Sequence, residues 1–204
     1  MPAGNNARFG PHRLLAAVIA IASAHALAAD NYTVDTDHTY PSLEFSHMGI
    51  SIWRGKFNKT SGKITLDRTA KTGTADIRVD VTSIDFGHVL MKRFALGEDW
   101  LNPEKFPAMT YKGTIVFKGD TPDFVDGQLT LLGVTKPLKL KINSFKCIEH
   151  PMFKKEVCGA DAEGDMNRAE WGMKLYSEGE AGKVHLRIQV EANKDEDPLQ
   201  KSSS

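Results

Sequence analysis

Apolar and polar residues alternate along much of this chain with a period of two. The pattern is clearest in residues 77–81, 138–142 and 184–190, where every second position is apolar and the positions between are charged or polar. Because successive side chains of a β-strand point to opposite faces, each segment predicts a strand with one buried and one solvent-facing side. Shorter stretches of the same kind extend the prediction to residues 32–35, 43–46, 49–57, 64–66, 109–117 and 124–132.

Turn-forming residues separate these segments, at 61–62, 71–73, 119–122, 126–127 and 179–182. Only residues 88–105 favour helix, since their apolar residues fall at mixed helical spacings, with Gly97 and Pro103 as breakers. About eight or nine strands with one or two short helices, and no strand–helix–strand rhythm, predict an antiparallel all-β domain. Two packed sheets and one sheet closed into a barrel both satisfy this pattern.

The first 28 residues have a different character. Arg8 and Arg13 precede an apolar run at 14–22, and the small residues at 26–28 form a cleavage pattern before Ala29. The run is much shorter than the ~20 residues of a membrane-spanning helix. These features predict a signal peptide over residues 1–28, and an uncleaved N-terminal anchor is the alternative. We expect one domain over residues 29–193, followed by a flexible polar tail at 194–204.

Export changes how the two cysteines are interpreted. Cys147 and Cys158 are eleven positions apart, around a segment with Pro151 and Gly159. In an oxidising compartment this pair predicts a disulfide that closes a loop between strands. Two independent buried thiols are the alternative, and the spacing is not that of a Cys-x-x-Cys redox motif.

Composition and motifs narrow the function classes. The 204 residues are 41% hydrophobic and 25% charged, and 26 basic residues balance 26 acidic ones. The chain therefore lacks the basic field that attracts nucleic acid. It also lacks a nucleophile elbow, a phosphate-binding loop, a zinc-protease motif and a dinucleotide fingerprint. His38 and His47 are the only mature histidines close in sequence, and they have no nearby third ligand. We expect no catalytic residues, no metal and no required cofactor.

Large apolar side chains are abundant, with 10 Phe, 3 Trp and 7 Met. They fill the core of a β-domain, or they line an apolar ligand pocket with a few polar groups at its mouth. The residues alone leave both interpretations open.

Several motifs occur in order between Tyr32 and Ala192. They include Ser83-Ile84-Asp85, Phe106-Pro107, the segment GQLTLLGVTKP at 127–137, and the segment NRAEWGM at 167–173. The first third adds Asp35, His38, Phe45, His47, Gly49, Gly55, Phe57, Gly62 and Asp67. Together these positions resemble the YceI-like family of secreted polyisoprenoid-binding proteins. The chain departs from the family pattern at residues 88–96, which are more apolar than expected, and at its two cysteines.

The resemblance implies a lipocalin-like antiparallel β-barrel, exported to the periplasm, that holds a long isoprenoid, a quinone or a similar amphiphilic lipid without catalysis. Contact with a membrane or a membrane complex is expected for lipid exchange, and a homodimer is compatible with the sequence. The alternative is a filled barrel that acts as an interaction or stress-response module for a membrane complex. A third hypothesis, an enzyme acting on a hydrophobic substrate, lacks a recognisable acid–base pair.

The candidate lumen residues are apolar side chains of the predicted strands and of the helical insertion: Phe45, Ile52, Phe57, Ile77, Val79, Phe94, Trp100, Met109, Tyr111, Phe117, Leu129, Leu131 and Trp171. Four polar side chains are candidates for contacts near an opening: Asp35, His38, His47 and Arg168. A structural hydrogen bond or ion pair is an equally good explanation for each of these four.

Overall fold

The computed structural model describes Met1 and residues 29–196, so the predicted signal peptide after Met1 and most of the predicted tail lie outside the described residues. Strands dominate this part of the chain. They are β1 (Asp30–Val34), β2 (Tyr40–His47), β3 (Ser51–Phe57), β4 (Thr60–Asp67), β5 (Thr72–Asp80), β6 (Ile84–Asp85), β7 (Ala108–Lys118), β8 (Thr121–Leu131), β9 (Val134–Glu149), β10 (Glu156–Asn167) and β11 (Lys183–Lys194).

Helical structure is brief in the described residues. The α-helix α1 (Val89–Ala95) lies in the segment for which the sequence predicts helix, and three 3₁₀ turns occupy Val81–Ser83, Arg168–Trp171 and Gly179–Gly182. Within residues 29–196 no helix is long and apolar enough to cross a bilayer.

Eight antiparallel strands close into a ring in the order β1, β4, β5, β7, β8, β9, β10, β11. The ring closes where β1 pairs with the end of β11, with Tyr32 opposite Lys194 and Val34 opposite Ala192. The predicted antiparallel barrel of about eight strands is therefore confirmed, and the two-sheet arrangement is not the fold. Closure also leaves no open sheet edge in this ring.

Strand β11 pairs with two strands in succession. Its residues 184–189 pair with β2, and its residues 192–194 pair with β1. At the change-over the Asp35 N–H donates to the Glu191 carbonyl, 2.9 Å away. Strands β3 and β6 follow β2, so this three-stranded branch extends the barrel wall at one end.

The register defines two ends of the barrel. One end, which we call the mouth, carries the β2–β3 turn (48–50), α1 and the loop 172–182, because Phe45 pairs with Val184 and Asn167 pairs with Lys183. The other, the closed end, carries the turns 68–71, 119–120 and 150–155. The two ends differ in chemistry as well as in position.

A disulfide joins β9 and β10 near the closed end. Cys147 and Cys158 are opposite each other in the antiparallel register, with Cα atoms 4.0 Å apart. This confirms the predicted pairing of the two cysteines. The last strand runs through Lys194, and the Asp195 N–H donates to the Asn31 carbonyl, so regular contacts continue past the expected domain boundary at residue 193.

Candidate functional site

The barrel encloses a cavity of about 830 Å³. This volume lies within the range of small-molecule binding pockets, roughly 300–1,000 Å³. Its wall consists of the inward faces of the strands, and no aspartate, glutamate or lysine is among the lining residues. The interior is therefore an apolar space, and the side chains do not fill it as the interaction-module alternative requires.

The cavity opens at the mouth. Three of its lining residues are exposed: Met48 at 81%, Phe94 at 66% and Tyr176 at 70%. They belong to the β2–β3 turn, α1 and the loop 172–182, which all lie at the mouth. Every other lining residue is buried or half-buried, including those at the closed end. A ligand would therefore enter and leave through the mouth.

Exposed apolar side chains surround this opening. We call them the apolar rim: Met48, Ile50, Val89, Leu90, Phe94, Leu175 and Tyr176. Three of them lie on α1, which is the segment where the sequence is more apolar than the family pattern. Exposed apolar groups concentrated at one site mark surfaces that meet a protein, a membrane or a ligand.

A polar cluster occupies the closed end. The fully buried Tyr32 donates its hydroxyl hydrogen to Glu156 Oε1 at 2.5 Å. Arg68 Nη2 lies 2.8 and 3.0 Å from the two oxygens of the same carboxylate. Burial, followed by the bond to Glu156, raises the pKa of Tyr32. Burial opposes ionisation of Glu156, but the bonds from Tyr32 and Arg68 still hold its pKa below the ordinary value. Each charge here has a partner.

Arg168 is a buried cation at the mouth. Its side chain lines the cavity and the residue is only 6% exposed. Nη1 donates to the Met173 carbonyl at 3.1 Å and Nη2 donates to the Tyr176 carbonyl. The guanidinium carbon lies 4.5 Å from the centre of the Trp100 ring. Burial lowers the pKa of the guanidinium, and its Nε–H has no hydrogen-bond partner.

Ten of the thirteen predicted lumen residues line the cavity. These are Phe45, Phe57, Ile77, Val79, Phe94, Trp100, Met109, Tyr111, Leu129 and Leu131. Whether they bind a lipid is part of the proposal below.

Three predicted lumen residues lie elsewhere. Ile52 is 49% exposed, because on β3 the inward positions are those of Gly55 and Phe57, and Ile52 is an odd number of residues from both. Phe117 follows a register shift between β7 and β8 and packs half-buried against the core without lining the cavity. Trp171 is buried in a 3₁₀ turn, where its Nε1–H donates to the Leu129 carbonyl at 3.0 Å.

The four polar candidates divide into two pairs. Arg168 and His47 line the cavity, and His47 stacks on Trp53 with ring centres 4.7 Å apart. Asp35 and His38 do not line it. They form an exposed pair, 3.0 Å apart, in the turn that joins β1 to β2 on the barrel wall. The hydrogen bond to Asp35 raises the pKa of His38, so a structural ion pair accounts for both residues.

Tyr111 lines the cavity and packs against Gly127, which belongs to the sequence motif at 127–137. Its hydroxyl lies 2.9 Å from the Leu138 carbonyl and 3.2 Å from the Val125 carbonyl. The hydroxyl therefore bonds to the backbone of the barrel wall and does not face the lumen as a free donor. A Cβ atom at Gly127 would lie 2.4 Å from the tyrosine ring. Gly127, the first residue of the segment 127–137, therefore provides the space that the Tyr111 ring occupies.

Part of the cavity lining was not predicted from the sequence. The inward faces of β9 and β11 contribute Leu138, Leu140, Ile142, Leu186, Ile188 and Val190. Their alternation was the clearest in the chain, and it identifies these positions as one face of a strand. Period two alone does not separate a cavity wall from a filled core. Across residues 29–196, no three His, Cys, Asp or Glu side chains cluster as metal ligands would.

Comparison with known proteins agrees with this architecture. The YceI-like domain family matches residues 32–193, and the chain belongs to this family. A UPF0312 protein of Shewanella putrefaciens (strain CN-32 / ATCC BAA-453) is 36% identical over 138 residues, which cover 65% of this chain and 72% of that protein. Protein YceI of Escherichia coli O17:K52:H18 is 30% identical over 173 residues, covering 83% of this chain and 90% of that protein.

Two solved structures share the fold. The YceI protein of Campylobacter jejuni superposes with a TM-score of 0.63 at 24% identity, covering 74% of this chain and 91% of that one. A domain from Saccharophagus degradans, described as polyisoprenoid-binding and implicated in plant cell wall breakdown, superposes with a TM-score of 0.56 at 11% identity, covering 80% and 98%.

Proposed function

We propose that this YceI-like protein is a non-enzymatic carrier that holds the tail of an isoprenoid, quinone-like or similar amphiphilic lipid inside its barrel. The observation that carries the proposal is the apolar cavity of about 830 Å³ that opens through an apolar rim at one end. The polyisoprenoid-binding description of the S. degradans domain supports the same ligand class.

The lining of the cavity supports binding without catalysis. Its titratable side chains are few, and no carboxylate is among them. Tyr32 and Tyr111 donate their hydroxyl hydrogens to Glu156 and to backbone carbonyls. The cavity therefore offers no paired acid and base of the kind that hydrolysis or proton transfer needs.

The energetics of the tail favour exchange with a membrane. Burying each CH₂ group is worth roughly 0.8 kcal/mol relative to water. A lipid tail in a bilayer is already out of water, so its transfer into the barrel is close to neutral. We therefore propose that the apolar rim contacts a membrane transiently, and that the head group decides which lipid is retained.

The predicted signal peptide and the disulfide support a periplasmic location. A disulfide persists in oxidising compartments such as the periplasm and is rare in the cytosol. The proposed carrier would then work where it can reach lipids of the cell envelope.

Native mass spectrometry of the protein purified from its own host tests the proposal. We expect a co-purifying amphiphile that is lost from Leu131→Arg, because Leu131 lines the cavity and an arginine there places a charge in an apolar space. Gln128→Arg on the exposed face of the same strand is the matched control and retains the lipid. Circular dichroism verifies that both variants are folded. A folded Leu131→Arg protein that carries the same lipid, or wild-type protein without any lipid across several preparations, contradicts the proposal.

A further inference from the structure

The mouth contains a buried charge without a counter-ion. Among the described residues no carboxylate forms an ion pair with Arg168, and none lines the cavity beside it. Its partners are the two backbone carbonyls of Met173 and Tyr176 and the face of Trp100. These neutral groups hold the guanidinium in place but leave its charge uncompensated.

An isolated buried charge is unfavourable unless it is paired and hydrogen-bonded. Carbonyl oxygens and an aromatic face recover part of the lost hydration. The Nε–H of Arg168 is buried and has no hydrogen-bond partner, and the residue lines the cavity, so one donor of the guanidinium is unsatisfied at this site. Fork-shaped donors of this kind match the geometry of carboxylates and phosphates.

The position of Arg168 fits a head group and not a tail. The residue begins the 3₁₀ turn directly after β10, whose last residue, Asn167, is opposite Lys183 at the mouth. Its carbonyl partner Tyr176 is exposed at the opening. An amphiphile with its head group at Arg168 would extend its tail along the apolar cavity toward Tyr32 at the closed end.

We propose that Arg168 recognises an oxyanion head group, so that the preferred ligands of this barrel are anionic amphiphiles that carry a carboxylate or a phosphate. The inference rests on the proposed carrier function and deepens it, since it names the chemistry of the head group. Arg168 supplies the charge and the free N–H, and the cavity accepts the tail.

Binding of matched probes to delipidated protein tests this assignment. Hexadecanoate is compared with hexadecan-1-ol, and geranylgeranyl phosphate with geranylgeraniol, by quenching of tryptophan fluorescence. We expect Arg168→Met to weaken binding of an anionic probe by about 10- to 100-fold, the scale of a hydrogen bond to a charged group. Binding of the corresponding alcohol should change by less than about 3-fold, because the tail contacts remain.

A matched variant separates recognition from general attraction. Arg93→Met removes the same charge from the exposed surface of α1 at the same mouth, and we expect it to leave both affinities unchanged. The two anionic arms identify the source: a larger loss for the phosphate probe assigns an isoprenoid phosphate class, and a larger loss for hexadecanoate assigns a fatty-acid class.

The outcomes also separate the two proposals. If wild-type protein binds each anion and its alcohol equally, the head-group assignment is overturned while the carrier function stands. If it binds none of the four probes, the carrier function itself fails. An equal loss for anion and alcohol in Arg168→Met makes Arg168 a structural residue only. The wild-type comparison needs no substitution, so the test holds even if Arg168→Met does not fold.

Discussion

Each end of the barrel carries an arginine, and the two arginines are in opposite situations. Arg68 at the closed end is 41% exposed in its side chain, yet it is fully paired with the carboxylate of Glu156. Arg168 at the mouth is almost completely buried and has no carboxylate partner among the described residues. The accessible charge is neutralised by the protein, and the buried one is not.

The contrast indicates that the closed end contributes to stability and that the mouth is suited to contact with a ligand or a membrane. The closed end satisfies its own polar groups through Tyr32, Glu156 and Arg68, and a disulfide joins the strands beside it. The mouth exposes the seven apolar side chains of the rim, compared with three at the closed end, and it holds a cation without a counter-ion. Exposed apolar surface and unpaired buried charge both cost stability, and both are relieved by a ligand or a membrane.

The largest expected effect at the closed end comes from the disulfide. Replacing Cys147 and Cys158 together with serine should lower the free energy of unfolding by about 2–3 kcal/mol, because the bond restricts the loop between them in the unfolded chain. Urea denaturation measures the change, and wild-type protein kept under reducing conditions is the control.

Reduction and alkylation of unfolded wild-type protein give an independent check. We expect alkylation of both cysteines only after a reducing agent is added. Labelling of two free thiols without reduction would show that the bond is absent from the purified protein and would remove the basis of this prediction.

Glu156→Gln weakens the pairing at the closed end. The variant keeps the shape of the side chain but removes the carboxylate that lies 2.8 Å from Arg68 and leaves only Asp30, 3.6 Å away, so we expect a loss of about 1–2 kcal/mol in the free energy of unfolding. Asp76→Asn is the control, since Asp76 and Lys112 form an exposed ion pair of 2.7 Å that should contribute less than about 1 kcal/mol. Equal effects of the two substitutions would contradict the special role of the closed end.

The dependence on pH sharpens the same prediction. The pKa of Glu156 in the folded protein lies below its ordinary value of 4.5. Its contribution is therefore present above the unfolded value and is lost as the pH falls through the folded value. The stability difference between wild-type protein and Glu156→Gln should shrink toward low pH. A difference that grows as the pH is lowered would show that the carboxylate is not stabilised by folding.

The alternation predicted the antiparallel strands because each strand has one apolar face, whereas the barrel was implied by the family resemblance. Strands β7 and β8 were expected at 109–117 and 124–132 and are found at Ala108–Lys118 and Thr121–Leu131. Closure needed more than period two, since it depends on β11 pairing first with β2 and then with β1. Such pairing between distant segments is not encoded in any local pattern.

The site was harder to predict than the fold for a physical reason. One residue of register decides between lumen and solvent, and that is why Ile52 is outside and Phe57 inside. Arg168 was identified as a candidate by its motif. Its burial and its missing counter-ion depend on Trp100 and the loop 172–182, which lie outside β10 and have no periodic sequence pattern. These are properties of the assembled mouth.

The smallest expected effect on stability belongs to two exposed phenylalanines that differ in their end of the barrel. Phe94 on α1 and Phe153 in the β9–β10 turn are each 66% exposed, but only Phe94 lines the cavity at the mouth. Serine at either position should change the free energy of unfolding by less than about 0.5 kcal/mol, as surface substitutions usually do.

If the mouth contacts the membrane, Phe94→Ser should slow transfer of a fluorescent lipid from the protein to vesicles several-fold, and Phe153→Ser should not. Equal rates for both variants and wild-type protein would mean that lipid leaves without contact between the apolar rim and the bilayer, whereas slowing by Phe153→Ser would assign the contact to the closed end.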